Sequence, residues 1–159
     1  MKNIKYILLA AVTFMIDMGI KNHVEKWVCL DEPEKREGKF IIGGKHHNRG
    51  LSFNIADAHQ AKIAKLSLFT GALLTIQYIY VLIKENNPLM KTGLSLQIGG
   101  AYSNTYDRVK RKYVVDYFSF NVKGKLGKMV FNLGDIALLK GTVLVLVSSL
   151  IKSKKGNKK

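Results

Sequence analysis

Four apolar runs separated by basic connections constrain this chain more than any other feature. They cover residues 4–20, 64–83, 89–106 and 129–151. A helix needs about 20 mostly apolar residues to cross a bilayer core, with a working range of roughly 17–25. The second and fourth runs meet that requirement. The first is short but clean up to Asp17, and the third carries Lys91, Gln97 and three glycines. A mean hydropathy of +0.02 looks ordinary for a soluble protein only because averaging erases the blocks. The length of 159 residues is enough for a single domain.

Lys and Arg number 26 against 11 Asp and Glu, a formal charge of +15. Such a balance attracts nucleic acid or anionic lipid. No RNA-binding or helix-turn-helix pattern accompanies it, so membrane lipid is the expected partner and nucleic acid is not. One cysteine, Cys29, excludes an internal disulfide framework and a cysteine-rich metal centre. His46 and His47 are adjacent and His59 follows, without the ligand spacing a metal site wants. They read as solvated loop histidines, and neither a metal nor a cofactor is expected.

Residues 1–20 have the positive start and apolar core of a secretory signal peptide. Against that reading, no small-residue cleavage site follows, and the run ends in Asp17 and Lys21. These two lie four apart and share a helix face. The run is therefore read as a retained first span; the simplest role for Asp17 and Lys21 is a surface pair. The connection 21–63 is polar, and its fragments FII and LSFNI, broken by Gly43-Gly44 and Asn48-Arg49-Gly50, suggest short strands with tight turns on the membrane surface. The third run offers small residues for close helix packing. It ends in Asn104, Asp107 and Arg108, near one helix face. Connection 107–128 is basic and contains YVVDYFSF, a strand-like segment with Asp116 among valines and aromatics. The last run reads as a helix opening with MVFNLGD, with Asn132 and Asp135 three apart and about one turn into the membrane, and residues 152–159 form a basic tail.

Four spans put both termini on one side. Segments 1–5, 84–91 and 152–159 hold nine Lys and Arg, and the opposite connections with Lys65 hold sixteen. Short segments carry the orientation signal, and they are the denser ones, so both termini are expected in the cytoplasm. Three carboxylates (Asp107, Asp116, Asp135), three amides (Asn104, Asn121, Asn132) and Arg108 then gather near the outer face. Polar groups there are costly unless paired or used. Two carboxylates held close share one proton and can activate a water. The competing readings are a buried ion-pair network bracing a bundle, a small transport or proton-relay protein, and a non-catalytic lipid-binding scaffold.

The motifs, in order, are similar to those of the lipoprotein signal peptidases (signal peptidase II), four-span bacterial membrane proteases of the aspartyl type. Asp17-x-x-x-Lys21 resembles the family's D-x-x-x-K. Asn48-Arg49-Gly50-Leu51-Ser52-Phe53 resembles N-x-G-x-x-F. The stretch from Gly99 to Arg108 resembles G-G-A-x-G-N-x-x-D-R, Val114-Val115-Asp116-Tyr117 resembles V-V-D-F, and the stretch from Phe131 to Asp135 resembles F-N-x-A-D. The resemblance covers nearly the whole chain. It implies a mainly α membrane protein: four transmembrane helices with a small extracytoplasmic β-sheet between helices 1 and 2, forming one domain over residues 1–159.

By the same resemblance, Asp116 and Asp135 are the catalytic pair. Asn48, Gly50, Phe53, Asn104, Arg108 and Asn132 line the site, and Asp17, Lys21 and Asp107 hold it together. Asp107, beside Arg108, is the poorer catalytic candidate. The implied substrate is a prolipoprotein whose cysteine carries diacylglycerol, cut just before that cysteine by a monomeric enzyme of the bacterial cell membrane. Departures from the pattern are Ser103 for glycine, Gly134 for alanine, D-M-G-I-K for a more polar motif, and Lys140 inside the last span.

Overall fold

A computed structural model describes residues 3–28, 40–50, 59–120, 122–124, 127 and 129–156. In chain order the elements are α1 (Ile4–Trp27), β1 (Phe40–Asn48), α2 (Gln60–Lys84), α3 (Pro88–Lys110), β2 (Val114–Phe120), β3 (Val130–Phe131) and α4 (Leu133–Gly156). Helix α3 is central and packs against α1, α2 and α4. Glycines permit this. A Cβ on Gly99 would lie 2.6 Å from Thr13 Cβ of α1, and one on Gly93 would lie 2.8 Å from the Gly141 carbonyl oxygen of α4.

The helix ends follow local chemistry. Pro88 opens α3, where a missing N–H costs nothing, and Asn87 caps it by accepting from Met90 N at 3.1 Å. Helix α1 continues to Trp27, beyond the expected end of the first run at residue 20, and Val24 then packs with Val115 and Tyr117 of β2. Helix α4 starts four residues later than the apolar run. Val130 and Phe131 pair as a strand, and Asn132 sits at the cap position. The expectation that the last helix opens with MVFNLGD is thereby corrected.

The bundle is polar inside and apolar outside. Phe69, Ile76, Ile83, Leu139 and Leu150 are all more than 60% exposed, whereas Asp17, Lys21 and Asp107 are fully buried. Such an inversion suits lipid as the surrounding medium. Among the described residues, two helices are long and apolar enough to cross a membrane: Gln60–Lys84 and Leu133–Lys154. Helices α1 and α3 fall short of that test because they supply the buried polar residues, among them Asp17, Lys21, Lys91, Ser95 and Asn104.

The sheet is antiparallel in the order β1-β2-β3. It does not belong to one connection, as the sequence suggests. Its first strand lies between α1 and α2, and its other two lie between α3 and α4. Gly43-Gly44 is no turn either: it falls within one continuous β1, at an irregularity between Ile42 and His46 that keeps pairing with β2 on both sides. Longer-range pairing overrides the local turn signal here, since glycine in a strand commonly marks a bulge. The LSFNI fragment, Phe53, Cys29 and Asn121 lie outside the described residues.

Both ends of the bundle are tied. At one end Asn3 Nδ2 donates to the Leu82 carbonyl at 2.7 Å, and Lys152 pairs with Glu85 at 2.8 Å. At the other, β2 lies against α1 and α3. Asp17, Asn104, Asp116 and Asp135 all meet at that second end.

Candidate active site

Strand β2 carries Asp116 between valine and tyrosine, almost completely buried. Helix α4 carries Asp135 in its first turn. Asn132 joins them. Its side-chain Nδ2 donates to Asp116 Oδ1 at 2.7 Å. Its backbone N–H donates to Asp135 Oδ2 at 3.2 Å, and its Oδ1 accepts from Asp135 N at 2.9 Å. The last two bonds form a reciprocal cap of the kind that satisfies the free N–H groups of a helix start. The F-N-x-x-D spacing of the sequence thus caps α4 and ties two carboxylates to one amide.

Each carboxylate has a further amide. Asn48, the last residue of β1, donates from Nδ2 to Asp116 Oδ2 at 3.1 Å, while its Oδ1 accepts from Gly50 N at 3.2 Å. Gly50 therefore orients Asn48. Asn104 donates from Nδ2 to Asp135 Oδ1 at 2.9 Å, and its Oδ1 accepts from Lys21 Nζ at 2.7 Å. Burial, with the Asp135 charge nearby, pushes the Asp116 carboxyl up to about 7.

Beneath this pair lies an ion network. Lys21 Nζ stands 2.8 Å from Asp17 Oδ2 and 3.2 Å from Asp107 Oδ2, all three side chains fully buried. The surface-pair reading of Asp17 and Lys21 is corrected: they are core groups, because α1 presents them to α3 and not to solvent. Asp107 also pairs with Arg111 and accepts from Val115 N at 3.2 Å. Its cations are Lys21 and Arg111, not the adjacent Arg108, since neighbouring residues on a helix point about 100° apart. With three partners fixed on Asp107, the freer carboxylates are Asp116 and Asp135.

Ser103 was expected only as a departure from glycine. It donates from Oγ to Asp17 Oδ2 at 2.5 Å and accepts from Lys21 Nζ at 3.1 Å. Tyr117, which the sequence offers only as the last residue of the V-V-D-F-like motif, has a role of its own. Its hydroxyl donates to Asp17 Oδ1 at 3.0 Å and accepts from Leu133 N at 2.8 Å, so it links α1 to the start of α4. Strand alternation puts Tyr117 on the face opposite Asp116, which is the signal that marks it as a second inward-facing group. Burial and the Asp17 charge hold its phenol well above the usual range.

Arg108 lies within electrostatic reach of Asp135 and Asp116, and its Nε is buried with no hydrogen-bond partner among the described residues. Lys140 is exposed on α4. His47 is not a solvated loop residue: it is half-buried and stacks on Tyr113 with centroids 3.8 Å apart, and its Nε2 is 3.0 Å from Glu25 Oε2. No group of three or more potential metal ligands occurs among the described residues.

Comparison with known proteins gives one consistent picture. A family model described as signal peptidase (SPase) II matches residues 9–151. A lipoprotein signal peptidase of Clostridium acetobutylicum is 35% identical over 155 residues, covering 94% of this chain and 96% of that one. One from Clostridium tetani is 34% identical over 100 residues, 63% of each chain. A solved structure described as a bacterial membrane enzyme, determined by the in meso method at 2.3 Å, superposes with a TM-score of 0.81 at 25% identity. It covers 98% of this chain and 92% of the other.

Proposed function

The chain belongs to the signal peptidase II family, and from that membership we propose that Asp116 and Asp135 are the pair with which it cuts prolipoproteins. The protein is a membrane protease that removes signal peptides from prolipoproteins. The finer reading is that it forms one domain with four spanning helices, both termini in the cytoplasm and the aspartates near the outer face. Its substrate is then a precursor whose cysteine already carries diacylglycerol, cut on the N-terminal side of that cysteine.

The observation that carries the assignment is Asn132, which hydrogen-bonds both carboxylates, with the buried Arg108 Nε, unpartnered among the described residues, within electrostatic reach of the pair. Two carboxylates in contact at low dielectric hold one proton between them. Asp116, raised to about 7, suits the protonated role. Asp135, in the first turn of α4, suits the ionised one, since a helix N-terminus favours negative charge.

A water held between the two attacks the scissile carbonyl carbon. Asp135 takes its proton, and the Asp116 O–H hydrogen-bonds to the carbonyl oxygen as negative charge builds there. The Arg108 guanidinium stabilises the same charge. When the tetrahedral intermediate collapses, the C–N bond breaks and the leaving amine takes a proton from the pair. One carboxylate remains protonated and the other ionised, so the starting state returns. The Asp17–Lys21–Asp107 network does not touch the substrate; it fixes Asn104 and, through Tyr117, the start of α4.

The test is cleavage in detergent micelles of one lipoprotein precursor with and without its diacylglyceryl group. Cutting of the lipid-modified form alone, abolished by Asp135→Asn, is the expected result. Equal cutting of both forms would remove the lipid requirement, and cutting by Asp135→Asn at the wild-type rate would remove the aspartate assignment.

A further inference from the structure

Among the described residues two lysines are buried, and they are balanced in opposite ways. Lys21 meets two carboxylates and two neutral oxygens. Lys91, in the first turn of α3, is 7% exposed. Its Nζ donates to Asn3 Oδ1 at 2.8 Å and to the Leu82 carbonyl at 3.1 Å, and no carboxylate pairs with it among the described residues. An ammonium has three protons to place, and burying a cation without a counter-charge is costly.

A second cation converges on the same spot. Lys5 Nζ stands 5.1 Å from the centroid of the Tyr6 ring, and Lys91 Nζ stands 5.7 Å from it. Lys5 also has no carboxylate partner among the described residues. The nearby Glu85 is engaged by Lys152 at 2.8 Å. Two like charges around one ring repel unless an anion lies between them. The space for one exists: a cleft of about 460 Å³ is lined by Asn3, Lys5, Tyr6, Asn86 and Lys91, with Ile4 and Pro88.

We propose that this cleft, at the end of the bundle opposite the aspartates, binds the phosphodiester headgroup of an anionic phospholipid. Lys91 is in the first turn of the 23-residue α3, whose two ends are separated by about 33 Å at 1.5 Å per residue. That is bilayer scale. The phosphodiester oxygens accept a hydrogen bond from the remaining N–H of Lys91 and one from the ammonium of Lys5, and the Asn86 amide faces the rest of the headgroup. The surroundings favour a lipid over free phosphate. Ile4, which lines the cleft, is 54% exposed, and Ile83 at the end of α2 is 70% exposed, so acyl chains have an apolar wall to lie on. Basic pockets between helix ends on the cytoplasmic side suit such headgroups.

The experiment compares the melting temperature of the full chain in nanodiscs of phosphatidylcholine with that in nanodiscs containing phosphatidylglycerol, and in phosphatidylcholine with added inorganic phosphate. Phosphatidylglycerol is expected to raise the Tm by about 3–5 °C. The rise should vanish in Lys91→Met, shrink in Lys5→Gln, and persist in Lys154→Gln, an exposed lysine at the same end. Lys5 is exposed, so Lys5→Gln folds and decides the matter even where Lys91→Met does not. Native mass spectrometry should find phosphatidylglycerol retained by the wild type and lost from Lys5→Gln. The proposal is overturned if Lys154→Gln loses as much of the rise as Lys5→Gln, because diffuse charge would then explain it. It is also overturned if no rise occurs, or if inorganic phosphate alone produces the same one.

Discussion

The Asn132 side chain donates to Asp116 Oδ1 at 2.7 Å while its backbone N–H holds Asp135. One residue therefore fixes the strand carboxylate against the helix carboxylate. Asn132→Ala removes the cap and leaves the buried Asp116 one donor short. Loss of each is worth about 1–2 kcal/mol. We expect a folded protein with a Tm lower by several degrees and turnover lower by at least about a hundredfold, measured by precursor cleavage. Near-normal turnover would mean that the two aspartates are positioned without it.

The pH behaviour follows from Asp116. Its folded-state carboxyl titrates near 7, raised by burial and the Asp135 charge, against about 3.9 in an unfolded chain. The folded state therefore binds the proton more tightly. The stability from this group is fully present below about pH 4 and is lost as pH rises through 7. Melting temperature should fall across that window, and Asp116→Asn should flatten the fall. The wild-type kcat/KM should decline above about pH 7 as Asp116 ionises and the single shared proton is lost.

Lys21 neutralises two carboxylates inside the bundle. Lys21→Met leaves Asp17 buried without a cation and Asp107 with Arg111 alone, which costs about 3–5 kcal/mol. A loss of about 10 °C in Tm is expected. Adding Asp17→Asn should recover part of it, since one orphaned charge is then gone. If Lys21→Met melted like the wild type, the network would be ornamental to stability.

Glu25 latches the sheet to α1. It pairs with His47 at 3.0 Å and accepts from Tyr113 OH at 3.0 Å, one residue from the Asn48 that holds Asp116. The contact is partly exposed, so its worth is about 0.5–1 kcal/mol. His47→Ala and Glu25→Gln should each lower kcat/KM by about twofold to fivefold. Because they break one latch, the double variant should be no worse than either single one.

Lys140 is exposed and lies five residues beyond Asp135 on α4. Lys140→Leu should keep activity within about twofold of wild type, since truncations remote from a site rarely alter it. A loss of tenfold or more in the precursor assay would show that this side chain reaches the substrate.

Much of this protein was legible in its sequence because the signals are local. Apolar blocks set four helices, Pro88 began α3, and the ordered motifs named the carboxylates that the fold brings together, whereas the short strand Val130–Phe131 and the Asn132 cap emerged only in the structure. What required the tertiary structure was the choice of partners. Asp107 sits beside Arg108 in the chain, yet it is paired with Lys21 and Arg111. Gly43-Gly44 resembles a turn but lies in a strand held by β2. Ser103 and Tyr117 gain their roles only when α1, α3 and β2 converge on Asp17. Helix and strand periodicity fix which way a residue faces on its own element. Which charge it meets there depends on how separate elements pack, and inside a bundle that meeting decides whether a carboxylate is neutralised or left free to react.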